Sequence, residues 1–336
     1  MTSARIRASK PSSRTSLSAR ATPSPRRLFL AAFELLRLIM PHTPARPGPK
    51  DAASYAFLAI VWGLSFIVIV KNAEAFGPVA AVTFRCGVAA SVLWLCARLA
   101  GHRVQLKGRW QHLAVVGATT VAGQLLGLAY GTPLIGTAMA AIFVAAIPLY
   151  SMLMAVVAGT EQFTREKLIG LLLGLLGVTM LVGFPPMPIT QDFVLGCMAM
   201  VFSTVSAAFG SVYANATLRR VPSADITVGA FMCGAAITLP FIALVPVPRA
   251  PMAMDVVYLL ISGALMSAAT YLLYFRLVTT IGATRAISVE FVVTLVAVLF
   301  GALVLGETLT PLQFVGGFVI MAGCTLVLGL FRQRRP

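Results

Sequence analysis

Apolar runs of 17 to 24 residues recur along this chain, separated by short polar stretches. Ten are read: 53–70, 77–97, 111–130, 134–157, 168–184, 193–215, 226–245, 255–275, 283–305 and 312–331. At about 1.5 Å per residue, each is long enough to cross a hydrocarbon layer of ~30 Å as a helix. The strict apolar–polar alternation of an outer-membrane barrel strand is absent from the pattern. The pattern therefore predicts an all-α membrane protein with ten transmembrane helices. Composition agrees. Charged residues are 11% of the chain, against ~25% in soluble domains.

The runs also repeat. Residues 125–183 lie on residues 271–329 without a gap, at an offset of 146 (271 − 125), with twelve of 59 positions identical. The matches include Glu161/Glu307, Thr164/Thr310, Gly136/Gly282, Gly170/Gly316 and Gly177/Gly323. The chain is expected to divide into a basic, disordered tail (1–52) and two five-helix repeats, 53–184 and 193–331. Five is an odd number, so the second repeat enters the membrane from the opposite face. Such inverted repeats are common in secondary carriers, which rock around one site.

The net charge of +16 sharpens this. Ten of the 26 Lys and Arg lie in residues 1–50. Of those in loops or at span ends beyond the tail, thirteen fall on one side and only Lys71 and Arg249 on the other. Retained positive charge marks the cytoplasmic side. Both termini are therefore expected in the cytoplasm of a multi-pass inner-membrane protein. The basic loops are topology signals, and no nucleic-acid partner is expected. The Arg- and Ser-rich, acid-poor start fits a dispensable disordered tail or a start codon placed too early, or else an organelle transit peptide. On the first reading, a chain begun at Met40 inserts and functions like the full one; loss of insertion, scored in membrane fractions, would refute it.

Particular motifs now carry a resemblance. Span 1 holds Trp62-Gly63-Leu64-Ser65-Phe66 and ends at Lys71, and span 2 opens on Pro78 with Arg85 seven residues on. Span 4 carries Pro148, thirteen residues before Glu161. Span 9 runs Gly282-Ala283-Thr284-Arg285-Ala286 and closes on Leu305-Gly306-Glu307-Thr308-Leu309-Thr310. In order and spacing these resemble the EamA-type branch of the drug/metabolite transporter superfamily, over roughly residues 53–331. The resemblance implies a ten-helix inverted-repeat carrier of small organic solutes, often an exporter working by proton exchange. The family usually has Pro in span 9 where this chain has Thr294, and a neutral residue where it has Glu290. Without that Pro, helix 9 is expected to be straighter than helix 4.

Glu290 is the sharpest candidate. It is the one carboxylate placed clearly inside a predicted span, where an acid is costly and marks substrate or proton paths. Alternatively it pairs with Arg285 or Arg276. Arg85, the one basic residue well inside a span, either binds a substrate anion, snorkels, or holds a backbone carbonyl of a neighbouring helix. Trp62, Ser65, Tyr150, Tyr271 and Tyr274 are cavity candidates; Tyr130 and Tyr213 read as interface anchors. Thr294 is a candidate as the altered position. Pro148, with turns at Gly131 and Gly136, is expected to let helices 3 and 4 flex. Glu161 and Glu307 read as turn residues beside the capping Thr164 and Thr310. Gly170, Gly174, Gly177, Gly316 and Gly323 allow close helix contact, between the halves or in a homodimer.

All five Cys lie inside spans with no paired spacing, so neither a disulfide nor a metal site is expected. No phosphate-binding loop is present, so a proton or solute gradient is the expected drive. The expected partners are a small-molecule substrate, a coupling proton and the lipid bilayer, without a cofactor. The acid and the aromatics lean toward an amine, an amino acid or a hydrophobic cation, and Arg85 toward the reverse. A membrane enzyme lacks clustered His, Cys or acids. A sensor or scaffold on a transporter fold stays open beside the carrier.

Overall fold

A computed structural model describes residues 48–182, 190–245, 247–296 and 311–328. Every regular element among these is helical. In chain order they are α1 (Pro49–Leu99), α2 (Trp110–Val116), α3 (Gln124–Ala145), α4 (Ile147–Val157), α5 (Arg165–Val182), α6 (Gln191–Thr217), α7 (Ser223–Thr238), α8 (Ala253–Gly263), α9 (Thr270–Ile281), α10 (Ala283–Ile287), α11 (residues 289–296) and α12 (Pro311–Leu328). Two π-helical stretches, Gly117–Gly123 and Ala264–Ala269, join α2 to α3 and α8 to α9. Six helices among the described residues are long and apolar enough to cross a membrane. The end of span 9, with Glu307 and Thr310, lies outside them.

α1 has 51 residues. Unbroken, it would run about 76 Å, more than twice the ~30 Å hydrocarbon layer. It breaks at Gly77, whose φ of 74° is a left-handed value that favours glycine, and Pro78 opens the second arm. Spans 1 and 2 are these two arms.

The repeats share their irregularities as well as their residues. Gly136 (φ 80°, ψ 157°) breaks α3, and Gly282 (φ 94°, ψ 157°), 146 positions on, separates α9 from α10. The first π stretch shifted by 146 (117 + 146 = 263; 123 + 146 = 269) falls on 263–269, over the second. Packing proves the inversion. A β-carbon on Gly170 would lie 2.8 Å from the Gly323 carbonyl oxygen, and one on Gly177 would lie 2.8 Å from that of Gly316. Position rises along α5 as it falls along α12, so repeat-mates run antiparallel, and each glycine meets the mate of the other. A two-fold relation between inverted halves gives that exchange. These glycines are used up inside one chain, so a homodimer would need another face.

Two expectations are corrected, on Gly131 and on helix 9. Gly131 is no turn: it lies inside unbroken helix, where α3 approaches Gly196 and Met200 of α6 too closely for a side chain. Pro148, within the apolar span Met139–Val157, sits in the first turn of α4, just after the interruption at Ala146. That position lacks an intrahelical N–H partner in any case, so proline fits. Helix 9 is also not straight. It is interrupted at Ser288 without a proline, where Phe291 N–H bonds Ser288 O one residue short of the α-helical step.

The main apolar core runs between the halves, from Leu58 and Trp62 through Val121 and Leu125 to Tyr274 and Val293. A second cluster, with Met152, Leu171, Phe291 and Ile320, seats α5 and α12.

Candidate functional site

Near the middle of the bundle both arms of α1 meet α3, α9 and α11 around a buried polar cavity. Trp62, Ser65 and Arg85 line it from α1, Gln124 and Val144 from α3, Tyr271 from α9 and Glu290 from α11. Arg85 is seven residues past Pro78, and Glu290 seven past Ala283. Because the repeats are inverted, the two charges enter from opposite ends, each about 10 Å deep. The cavity is about 40 Å³, room for a few waters. Small-molecule pockets hold ~300–1,000 Å³, so the cavity in this conformation is too small for an organic solute.

Glu290 is buried, at 5% exposure. Among the described residues nothing hydrogen-bonds or ion-pairs with its carboxylate. Arg276, one of its two expected partners, reaches Asp51 instead, at 3.3 Å. Thr294 is buried behind Glu290 and donates to its backbone carbonyl (3.1 Å); it does not line the cavity. Val144, the repeat-mate of Glu290 (144 + 146 = 290), lines the same cavity. The two-fold relation thus puts mates on facing walls, and only one wall has acquired an acid.

Arg85 holds the second half. Its Nε donates to Ser267 Oγ (2.6 Å) and Nη2 to the Met266 carbonyl (3.2 Å). Both acceptors lie in the π stretch, and the Met266 carbonyl also accepts from Thr270 Oγ1 at 2.8 Å. Arg85 is thus both a cavity wall and the clamp on a backbone carbonyl. Its flat guanidinium suits two acceptors at once, and a lysine cannot copy that. Arg85→Lys is expected to cost about 2 kcal/mol. The check is a lower thermal midpoint in detergent, and an unchanged midpoint would contradict the clamp.

The aromatics form one cluster. The Trp62 ring is 5.5 Å from those of both Tyr271 and Tyr274. Tyr271 faces the cavity, with its hydroxyl 3.5 Å from Gln124 Oε1. Tyr274 backs Trp62 and bonds Ser211 at 2.5 Å. Ser65 donates to the Trp62 carbonyl (2.7 Å). Tyr150 is half-buried against the core, away from the cavity. Tyr213 bonds His112 (2.7 Å), which ties α6 to α2. Sequence reasoning missed Gln124, although it is the one glutamine well inside a predicted span.

The comparisons agree with this architecture. A crystal structure that covers 84% of this chain, and is itself covered to 99%, superposes with a TM-score of 0.71 at 16% identity, which shows the fold. The uncharacterized transporter YoaV of Bacillus subtilis is 22% identical over 83% of this chain and 96% of its own. The uncharacterized inner membrane transporter YedA of Escherichia coli K12 is 26% identical over 84% and 92%. Protein PecM of Dickeya dadantii is 25% identical over 85% and 95%. Residues 52–183 and 194–329 each match the EamA-like transporter family. With both halves matched and the two-repeat helical fold in place, the chain is a multi-pass membrane protein that belongs to the EamA-like transporter family of the drug/metabolite transporter superfamily.

Proposed function

We propose that this transporter is a proton-coupled secondary carrier that exports small organic solutes, namely metabolites, amino acids or drugs, by alternating access. The observation that carries the reading is Glu290, a buried carboxylate with no bonded partner among the described residues, on the wall of a polar cavity that both repeats build. Buried acids that face a bundle interior mark proton and ion paths. The halves, 53–184 and 193–331, each with five of ten spans, rock about the cavity, with both termini in the cytoplasm of an inner membrane. Trp62 and Tyr271 offer ring faces to a cationic group, Ser65 and Gln124 orient it, and Glu290 carries the proton or the cation in exchange. Tyr274 and Thr294 act behind this wall.

Purified protein in liposomes with an imposed pH gradient tests the reading against a panel of metabolites, amino acids and amines. A carrier moves at least one of them faster than empty liposomes do. No movement across a broad panel would favour a sensor or scaffold on the same fold.

A further inference from the structure

We propose that Glu161 is the latch that holds one end of the central cleft shut. Glu161 lies in the turn between α4 and α5, in the first half, and its carboxylate is 1% exposed. One oxygen takes Lys167 Nζ at 2.7 Å. The other accepts the backbone N–H of Thr284 at 3.0 Å, 123 positions away in the second half. Thr284 belongs to the first turn of α10, whose N–H groups have no carbonyl behind them. Glu161 supplies the missing acceptor from across the cleft. Its own helix does not need it, because Thr164 Oγ already accepts the Lys167 N–H (3.3 Å). The sequence pattern placed Glu161 as a turn residue; its carboxylate is instead a cross-half contact.

Two weaker contacts close the same end. Tyr55 of α1 meets Ser288 at 3.1 Å, and Asp51 meets Arg276 at 3.3 Å. The Arg276 side chain is 39% exposed, and solvent screens such pairs. Glu161 is buried and charge-assisted, hence the strongest of the three. At the opposite end the described ion pairs, Lys71–Glu74 and Arg249–Asp255, each stay within one half, and the contact across the halves there is a neutral one, Asn72 Nδ2 to Ser262 Oγ at 3.0 Å. Lys167 moves with Glu161, so opening this end breaks the Thr284 bond and leaves the carboxylate paired. Gly282, with φ 94°, immediately precedes α10 and gives it a hinge. A charge-assisted bond of this kind biases the closed state about tenfold or more. The carrier reading is used only to name this end cytoplasmic.

The test uses the full chain with its five native cysteines replaced, and two reporters. Ser288→Cys reports on the latched end and Ala81→Cys, at a buried position near the start of the second arm of α1, on the opposite end. A membrane-impermeant maleimide is applied to right-side-out and inside-out vesicles. Glu161→Ala is expected to raise labelling of the Ser288→Cys reporter about tenfold and to leave or lower that of the Ala81→Cys reporter. Glu161→Gln keeps an acceptor oxygen and should stay nearer the parent. Unchanged labelling at Ser288→Cys would overturn the latch. So would an equal rise at both ends, which is the mark of loosened folding. A rise seen only from the outer face would support the latch and overturn the orientation in the carrier reading.

Discussion

Glu290→Gln is expected to leave a folded carrier whose transport no longer responds to pH. Glutamine keeps the shape of the side chain, and the cavity already hosts Gln124 and Ser65, so packing survives the change. What disappears is the one charge on α11 that faces the cavity. If that carboxylate binds the proton or a cationic substrate, its loss removes about 2–5 kcal/mol of charge recognition, and affinity for cations falls by roughly thirtyfold or more. The check is a pH–rate profile of reconstituted transport for parent and variant. A profile of unchanged shape would remove Glu290 from the coupling site. A double exchange extends the test: Val144→Glu with Glu290→Val moves the acid to the mate position across the same cavity. Partial recovery of pH dependence is expected there, because the two-fold relation puts the new acid on the facing wall.

The second large effect is expected from Gly177→Leu. A β-carbon at Gly177 would lie 2.7 Å from the Ile320 backbone nitrogen and 2.8 Å from the Gly316 carbonyl oxygen. Backbone cannot rotate aside as a side chain does, so α5 and α12 must separate. Overpacking costs about 1–3 kcal/mol even where side chains yield, and this site lies at the upper end. Without a hydrophobic drive between helices in lipid, close packing holds such pairs together. The thermal midpoint in detergent, read as the fraction still monodisperse after heating, is expected to fall sharply. Gly87→Leu is the control, because a β-carbon there meets nothing within 4 Å. Equal stability of Gly177→Leu and Gly87→Leu would contradict the account of the two-fold contact.

Much of this architecture was readable before any coordinates. The apolar runs, the constant offset of 146 and the one-sided positive charge lead to an inverted-repeat carrier, because hydrocarbon thickness and loop charge act on composition alone. Glu290 and Arg85 were readable for the same reason: ionisable groups are costly inside a membrane, so each stands out. Other features leave no local mark. The bond from Glu161 to Thr284 spans 123 positions, and no spacing rule reaches that far. The π stretches carry no diagnostic residues and became visible as a matched pair only from backbone geometry. Tyr150 and Tyr271 look alike as aromatics in spans; only packing separates the one against the core from the one at the cavity. Gly131 and Gly136 sit five residues apart, yet one is a contact and the other a break, set by what lies opposite each. Proline marks some breaks and not others: Pro78 and Pro148 stand beside those at Gly77 and Ala146, and helix 9 breaks at Ser288 without one.

In the proposed carrier, protons and solute exchange through one cavity between the halves. The most direct measurement is solute accumulation in liposomes bearing the purified carrier, with an imposed pH gradient that a protonophore then collapses. With a solute that the carrier has been shown to move, uphill movement opposite to the proton flow is expected. The protonophore returns it to equilibrium, and Glu290→Gln never exceeds equilibrium. Accumulation that persists after the gradient is collapsed, or that Glu290→Gln reproduces in full, would contradict it.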